Sequence, residues 1–192
     1  MTYKKGDHYT KKAKADGYAA RSVYKLEEIH KRWGVISKGD RVLDLGCAPG
    51  SWSRYAHRLA GPSGKVVGID IQEVDGFVGE FMQASVYDLD LAAVEELLGG
   101  APDVVISDMA PATTGNRFTD HVRQIELATA ALEIASNALG PKGRFVVKVF
   151  DGSDAQGYLA LCRERFSSVK RIKPKATRDR SVEFFVVATG RK

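Results

Sequence analysis

Long apolar runs are missing from this chain of 192 residues: none approaches the roughly 20 residues of a membrane span, and the N-terminal MTYKKGDHYTKKAK has no apolar segment of the kind a secretory leader carries. Neither membrane insertion nor export is expected, which leaves the cytoplasm as the expected compartment. Cysteine is scarce as well. Cys47 and Cys162 stand far apart with no CxxC, and the four histidines (His8, His30, His57, His121) show no ligand spacing, so neither a disulfide nor a structural metal is expected. Internal repeats and low-complexity tracts are also absent. What remains is 44% apolar and 28% charged, over a length that suits one domain, and reads as soluble and globular.

Charge is unevenly spread. Residues 1–32 carry nine Lys/Arg against four Asp/Glu, and residues 163–192 carry ten against three, so the ends are +5 and +7 while the middle is −7 within a total of +5. Basic ends around an acidic centre suit a patch for a polyanion, RNA above all, beside a catalytic body. Solvated basic tails are the blander reading of the same numbers.

Residues 1–18 are polar and Lys-rich and read as a loosely ordered arm. From Ala19, ARSVYKLEEIHKRWG spaces Val23, Leu26, Ile29 and Trp33 as one helical face and stops at Gly34. The expected organisation is a single domain, 1–192, with an arm and helix over 1–33 and a core over 34–192. Through the core, short apolar runs alternate with helical stretches: RVLDLG, KVVGIDI, FMQASV, PDVVISDMA and RFVVKVF read as strands, followed by VKRIK and SVEFFVVATG. Only KPKATRDR separates the last two, too short for a helical crossover, so the last strand is expected to run antiparallel. The fold class is therefore α/β, doubly wound and Rossmann-like. Its seven-stranded, mostly parallel sheet with an antiparallel last strand is the variant found in S-adenosylmethionine-dependent methyltransferases.

VLDLGCAPGSW, Val42 to Trp52, runs from a strand through a glycine turn into a helix, and Gly46 and Gly50 let the backbone approach a ligand. The spacing is GxxxG, not GxGxxG, and Pro49 removes an amide that a diphosphate cradle would use. An adenosyl ligand, S-adenosylmethionine, fits better than a nicotinamide dinucleotide. Asp70, twenty residues past Gly50, ends the second strand where a carboxylate can accept ribose hydroxyls. Asp88 follows the third strand within reach of an adenine amino group, and Asp44 lies near the sulfonium and amino group. Asp44 could equally brace the loop, Trp52 could be core, and Cys47 reads as a small turn residue.

Charged residues also interrupt apolar strands. Lys148 lies in FVVKVF, Glu183 in SVEFFVV, Asp108 ends VVISDMAP, and Lys25 sits in VYKLEEI on the amphipathic helix. An unpaired ammonium in a buried strand is costly. A self-neutralising Lys148/Glu183 pair is one explanation, but buried ion pairs seldom stabilise better than apolar residues of like volume, which favours a functional one.

These blocks resemble the FtsJ-like (RrmJ-like) ribosomal RNA ribose 2′-O-methyltransferases nearly end to end. DHYTKKAKADGYAARSVYKLEEI is similar to the family's N-terminal block, VLDLGCAPGSW to its cofactor loop, and SDMAP, VVKVF and KPKATRDRSVEFF to its later blocks. Lys25, Asp108, Lys148 and Glu183 match its K-D-K-E tetrad in order. One departure is that many relatives read GxRSRxxxKL where this chain reads GYAARSVYKL, keeping Arg21 but placing Ala19 and Ala20 at the first two positions. The resemblance implies that Gly50, Trp52, Asp70, Asp88 and Asp108 contact the cofactor and that Lys148 is the general base. It implies a uridine of the A loop in large-subunit rRNA, within a ribosomal subunit or its precursor, as the target.

A free lysine, with a pKa of about 10.4, is nearly all protonated at neutral pH. The expectation is that Lys148 acts as base with Lys25 lowering its pKa, Asp108 orienting it, and Glu183 binding the ribose or holding Lys25. A charged Lys148 that only steers the hydroxyl is the competing role. RNA is expected across Lys11, Lys12, Lys14, Arg21, Lys173, Lys175, Arg178 and Arg180. The required 2′-hydroxyl excludes DNA, and the chain is expected to act as a monomer. Alternatives are a tRNA or mRNA-cap ribose methyltransferase, a nicotinamide dehydrogenase, and an inert RNA-binding assembly factor.

Overall fold

The computed structural model describes residues 8–178 and 181–192. The described residues form seven strands: β1 (Arg41–Leu45), β2 (Lys65–Asp70), β3 (Glu80–Gln83), β4 (Val104–Ser107), β5 (Arg144–Phe150), β6 (Phe166–Ile172) and β7 (Glu183–Arg191). They make one sheet in the order β3-β2-β1-β4-β5-β7-β6. From β3 to β5 every pairing is parallel, and β7 is antiparallel to both β5 and β6. The strand order reverses between β1 and β4, which opens a crevice at the carboxyl edge, where ligands bind in open α/β sheets.

Among the described residues six helices cover the sheet: α1 (His8–Ala15), α2 (Val23–Trp33), α3 (Ser51–Ala60), α4 (Leu91–Leu98), α5 (Arg117–Ala138) and α6 (Ala155–Arg165). Strand side chains alternate between faces, and two buried clusters follow that alternation. Leu43, Leu45, Phe145, Val147, Val149, Phe184 and Val186 pack with α4, α5 and α6. Val42, Val104, Ile106, Val146, Phe185 and Val187 pack with α1, α2 and α3. The helices end where local chemistry stops them: Asp90 caps α4 by accepting from the amides of Ala92 and Ala93, and Gly34 closes α2 as expected.

Two boundaries differ from expectation. Residues 8–18 are not loose, because α1 lies there, with Ala13 and Tyr18 buried. Tyr9 packs on Tyr24 with centroids 5.5 Å apart, and the Tyr24 hydroxyl donates to Asp16 at 2.7 Å, so aromatic contacts with α2 supply what the polar sequence of α1 does not. The third strand is shorter than FMQASV, ending at Gln83, and Ala84, Ser85 and Val86 leave the sheet to wall a cavity.

Candidate active site

The alternation of the sheet assembles the charged residues. Along β1, β5 and β7, Asp44, Lys148 and Glu183 share parity with Val42, Val146 and Phe185, the residues packed beneath α1–α3. Asp108, just past β4, continues the parity of Val104 and Ile106. Lys25 projects from α2 onto the same side, with its Nζ 5.6 Å from the ring centroid of Phe185, the register partner of Lys148. All four residues of the tetrad therefore meet at the carboxyl edge of one face.

They meet as two ion pairs. Lys148 Nζ donates to the main-chain oxygen of Asp108 at 2.5 Å and lies 3.1 Å from Asp108 Oδ1, off the hydrogen-bond direction. Lys25 Nζ lies 2.5 Å from Glu183 Oε1. The Lys148/Glu183 pair considered from sequence is thus replaced by Lys148/Asp108 and Lys25/Glu183. Sheet order explains the choice: β5 stands between β4 and β7, and Glu183 sits opposite Phe150, two residues beyond Lys148.

Two cavities adjoin the tetrad, one at Asp108 and the other at Lys25 and Glu183. The first, of about 480 Å³, lies over the β1/β4 crevice and is walled by Gly46, Asp70, Ile71, Tyr87, Asp108 and Met109 among others. Gly46 has φ +71°, and a Cβ there would collide with the side chain of Met109, so only glycine keeps both the turn and the close approach. Asp70 accepts the amide of Ala48 through Oδ2 and that of Gln72 through Oδ1, both at 2.9 Å, and each oxygen keeps a second lone pair. The second cavity, of about 460 Å³, is lined by Arg21, Ser22, Lys25, Arg178, Ser181 and Glu183.

Asp44 is fully buried and takes a 2.5 Å hydrogen bond from Ser53 Oγ. Burial pushes its carboxyl up to about 7 against the opposing pull of Ser53, and the charges of Asp108 and Asp70 push the same way. Three carboxylates crowded around one loop make a cation-seeking pocket. That chemistry fits S-adenosylmethionine, which carries a sulfonium and an ammonium, and the exposed faces of Ile71 and Tyr87 offer apolar surface for a purine.

Other expected site residues fall further out. Trp52 is buried, donates from Nε1 to Ser22 O at 3.0 Å and packs on Phe185, while bordering a small annex with Asp44, Gly46 and Asp108. Gly50 lines a separate hollow with Arg54 and Val74. Asp88 is exposed, one residue past the cavity wall at Tyr87. Burial drives the Cys47 thiol up, which agrees with a turn residue and not a nucleophile. Sequence reasoning missed Ile71, Tyr87 and Met109. A large apolar side chain directly after Asp70, directly before Asp88 and directly after Asp108 was the available signal.

The loop after β6 also reaches this edge. Arg21 donates to Ala176 O, the Lys175 amide donates to Glu28 at 2.8 Å, and Lys173 Nζ donates to Ser181 O at 2.8 Å. Arg180 lies outside the described residues.

Comparisons with known proteins give the family. Residues 18–191 match the model of the FtsJ-like methyltransferase family. A ribosomal RNA large subunit methyltransferase E from Nitratidesulfovibrio vulgaris is 50% identical over 189 residues, covering 96% of this chain and 92% of the relative. A protein of the same name from Bdellovibrio bacteriovorus is 43% identical with all of both chains covered. Among solved structures, a ribosomal RNA methyltransferase from Plasmodium falciparum superposes with a TM-score of 0.80 at 26% identity, covering 91% of this chain and 98% of that one. With its carboxyl-edge tetrad and a family match over nearly its whole length, the chain belongs to the FtsJ-like methyltransferases.

Proposed function

We propose that the protein methylates a ribose 2′-hydroxyl in large-subunit ribosomal RNA, a uridine of the A loop, working as a monomer in the cytoplasm. S-adenosylmethionine supplies the methyl group, as an electrophilic carbon on a sulfonium. The observation that carries the reading is the tetrad itself: two lysines and two carboxylates share one sheet face between a cavity suited to an adenosyl cation and a second cavity lined with arginine and lysine.

The residues divide the work. Asp70 holds ribose hydroxyls of the cofactor, Asp88 at the mouth meets its adenine amino group, and Asp44 answers its positive charge. Gly46 and Gly50 shape the loop, and Trp52 fixes it against α2. Asp108 belongs to both halves of the site, because it walls the cofactor cavity and holds Lys148 Nζ. Lys148 acts as its neutral amine, which donates to the Asp108 carbonyl and takes the 2′-hydroxyl proton on its lone pair as the oxygen attacks. Glu183 and Lys25 hold each other at the rim of the second cavity, where the target ribose enters and is oriented. Lys11, Lys12, Lys14, Arg21, Lys173, Lys175, Arg178 and Arg180 supply phosphate contacts.

Mapping 2′-O-methyl groups in cellular RNA with and without the gene tests the assignment. Loss of one mark in the A loop is expected, and loss of a tRNA or cap mark instead would overturn the substrate. Single-turnover transfer against pH tests the chemistry, because a rate that does not change across the titration of Lys148 measured by NMR would remove its role as base.

A further inference from the structure

The reactive strand residues all project to the α1–α3 face, so a buried polar side chain touching β5 from the other face calls for a reason. Gln124, on α5, is 1% exposed, and its Nε2 donates to the main-chain oxygen of Lys148 at 2.9 Å. Its own Oε1 has no hydrogen-bond partner among the described residues. An amide that desolvates two polar atoms and satisfies one is a poor choice for packing.

The ladder explains what the amide does. β4 pairs with β5 only as far as Ser107 opposite Val147, because the chain then turns away so that Asp108 can wall the cofactor cavity. Lys148 is the first residue of β5 beyond the end of β4, and Gln124 supplies the donor to its carbonyl where the neighbouring strand has stopped. Lys148 is thereby held at both ends and from both faces, its Nζ by the Asp108 carbonyl and its own carbonyl by Gln124. One turn earlier on α5, His121 lies against Gly152, where a Cβ would strike the ring, and its Nε2 sits 3.1 Å from Asp154 Oδ2, fixing the turn that follows β5.

We propose that Gln124 is a positioning residue for methyl transfer, holding β5 beyond the end of β4 so that the Lys148 amine stays aligned with the ribose hydroxyl. This rests on the role of Lys148 proposed above.

The test uses the full chain, S-adenosylmethionine and an RNA that the wild type methylates, with single-turnover rates and separate affinities for cofactor and RNA. Gln124→Met, similar in length but unable to donate, is expected to lower the rate about 10-fold, in keeping with the removal of one neutral hydrogen bond, with both affinities within twofold of wild type. Gln124→Glu adds a readout that packing alone would not move: its neutral acid can donate to the carbonyl and its carboxylate cannot. The rate of that variant relative to wild type therefore falls as pH rises. The titratable groups around the position are His121 and Asp154 on the α5 side and Lys148 and Asp108 on the other; a carboxylate at 124 couples to them, and Gln124→Met, which adds no charge, gives the loss of the donor without that coupling. Either variant folded and transferring at the wild-type rate across pH overturns the proposal, as does a change confined to affinity or melting temperature. Lys148→Met, measured alongside, separates the two ideas. If it keeps the wild-type rate, the role of Lys148 fails; if it loses transfer while both Gln124 variants keep it, only the role of Gln124 fails.

Discussion

On the side of the sheet covered by α4–α6, the strand residues Leu43, Leu45, Val105, Phe145, Val147, Val149, Phe184 and Val186 are all apolar and buried. On the side covered by α1–α3, the same alternation delivers Val42, Val146 and Phe185 but also Asp44, Lys148 and Glu183. The covering helices differ too. α1–α3 carry eight Lys/Arg against two Asp/Glu, whereas α4–α6 carry four against six. One face is apolar where its strands are buried, Ser107 excepted, and the other gives up part of its apolar burial at the carboxyl edge to hold charges and carries a basic cover. Among the strand residues, apolar burial and the candidate catalytic charges fall on different faces, so a substitution's consequence should depend on the parity of its strand position.

The sharpest test is Lys148→Met. Removing a general base lowers transfer by roughly 10²–10⁴-fold, and single-turnover kinetics at saturating RNA should show a loss in that range. Methionine matches the length of the buried lysine stem, so the fold should survive. Phe145→Ala, three positions earlier on the same strand but on the apolar face and fully buried, should do the reverse. It is expected to cost about 3–5 kcal/mol in urea unfolding while the folded fraction transfers methyl at the wild-type rate. If Phe145→Ala slowed transfer as deeply as Lys148→Met, the division by face would be broken.

A smaller effect, and one that depends on pH, is expected at Asp44. Its carboxyl is held at about 7 against an ordinary 3.8, chiefly by burial, so the fold favours its protonated form. The stabilisation is therefore complete below about pH 4, the unfolded value, and is lost as pH rises through 7. Between pH 5 and 8 the wild type should lose unfolding free energy relative to Asp44→Asn, at up to about 1.4 kcal/mol per pH unit. Cofactor binding should show the opposite slope. A cationic ligand favours the carboxylate, so calorimetric affinity for S-adenosylmethionine should rise from pH 5.5 to 8 in the wild type and stay flat and weaker in Asp44→Asn. Parallel stability curves for the two proteins would mean that Asp44 does not titrate in this range.

Much of this was legible because period-2 alternation is local. FVVKVF and SVEFFVV announce which residues share a face, and the order of blocks announces the tetrad. Pairing was not legible, since whether Lys148 meets Asp108 or Glu183 depends on β5 lying between β4 and β7, a fact of strand order. α1 was missed because its burial comes from Tyr24 on another helix, not from its own Lys-rich sequence. Gln124 was invisible for a similar reason: a glutamine within a long helix looks like any solvated position until the early end of β4 gives it a carbonyl to serve.

The least effect per residue is expected in the basic cover, and it tests whether the charge difference between the faces is used. Removing one cation that neutralises a phosphate should flatten the dependence of log K on log salt by about 0.7–0.9. Lys11→Ala and Lys14→Ala, both exposed on α1, should each reduce the slope by that amount, with modest loss of affinity at physiological salt. Lys12→Ala should do less, because its Nζ already lies 4.4 Å over the Tyr24 ring. Arg163→Ala, at the end of α6 near the opposite edge of the sheet, is the control and should leave the slope unchanged. An equal change for Arg163 and Lys11 would mean that RNA contacts both sides of the molecule. The carboxyl edge of the α1–α3 face would then be where the chemistry happens but not the whole of where the substrate rests.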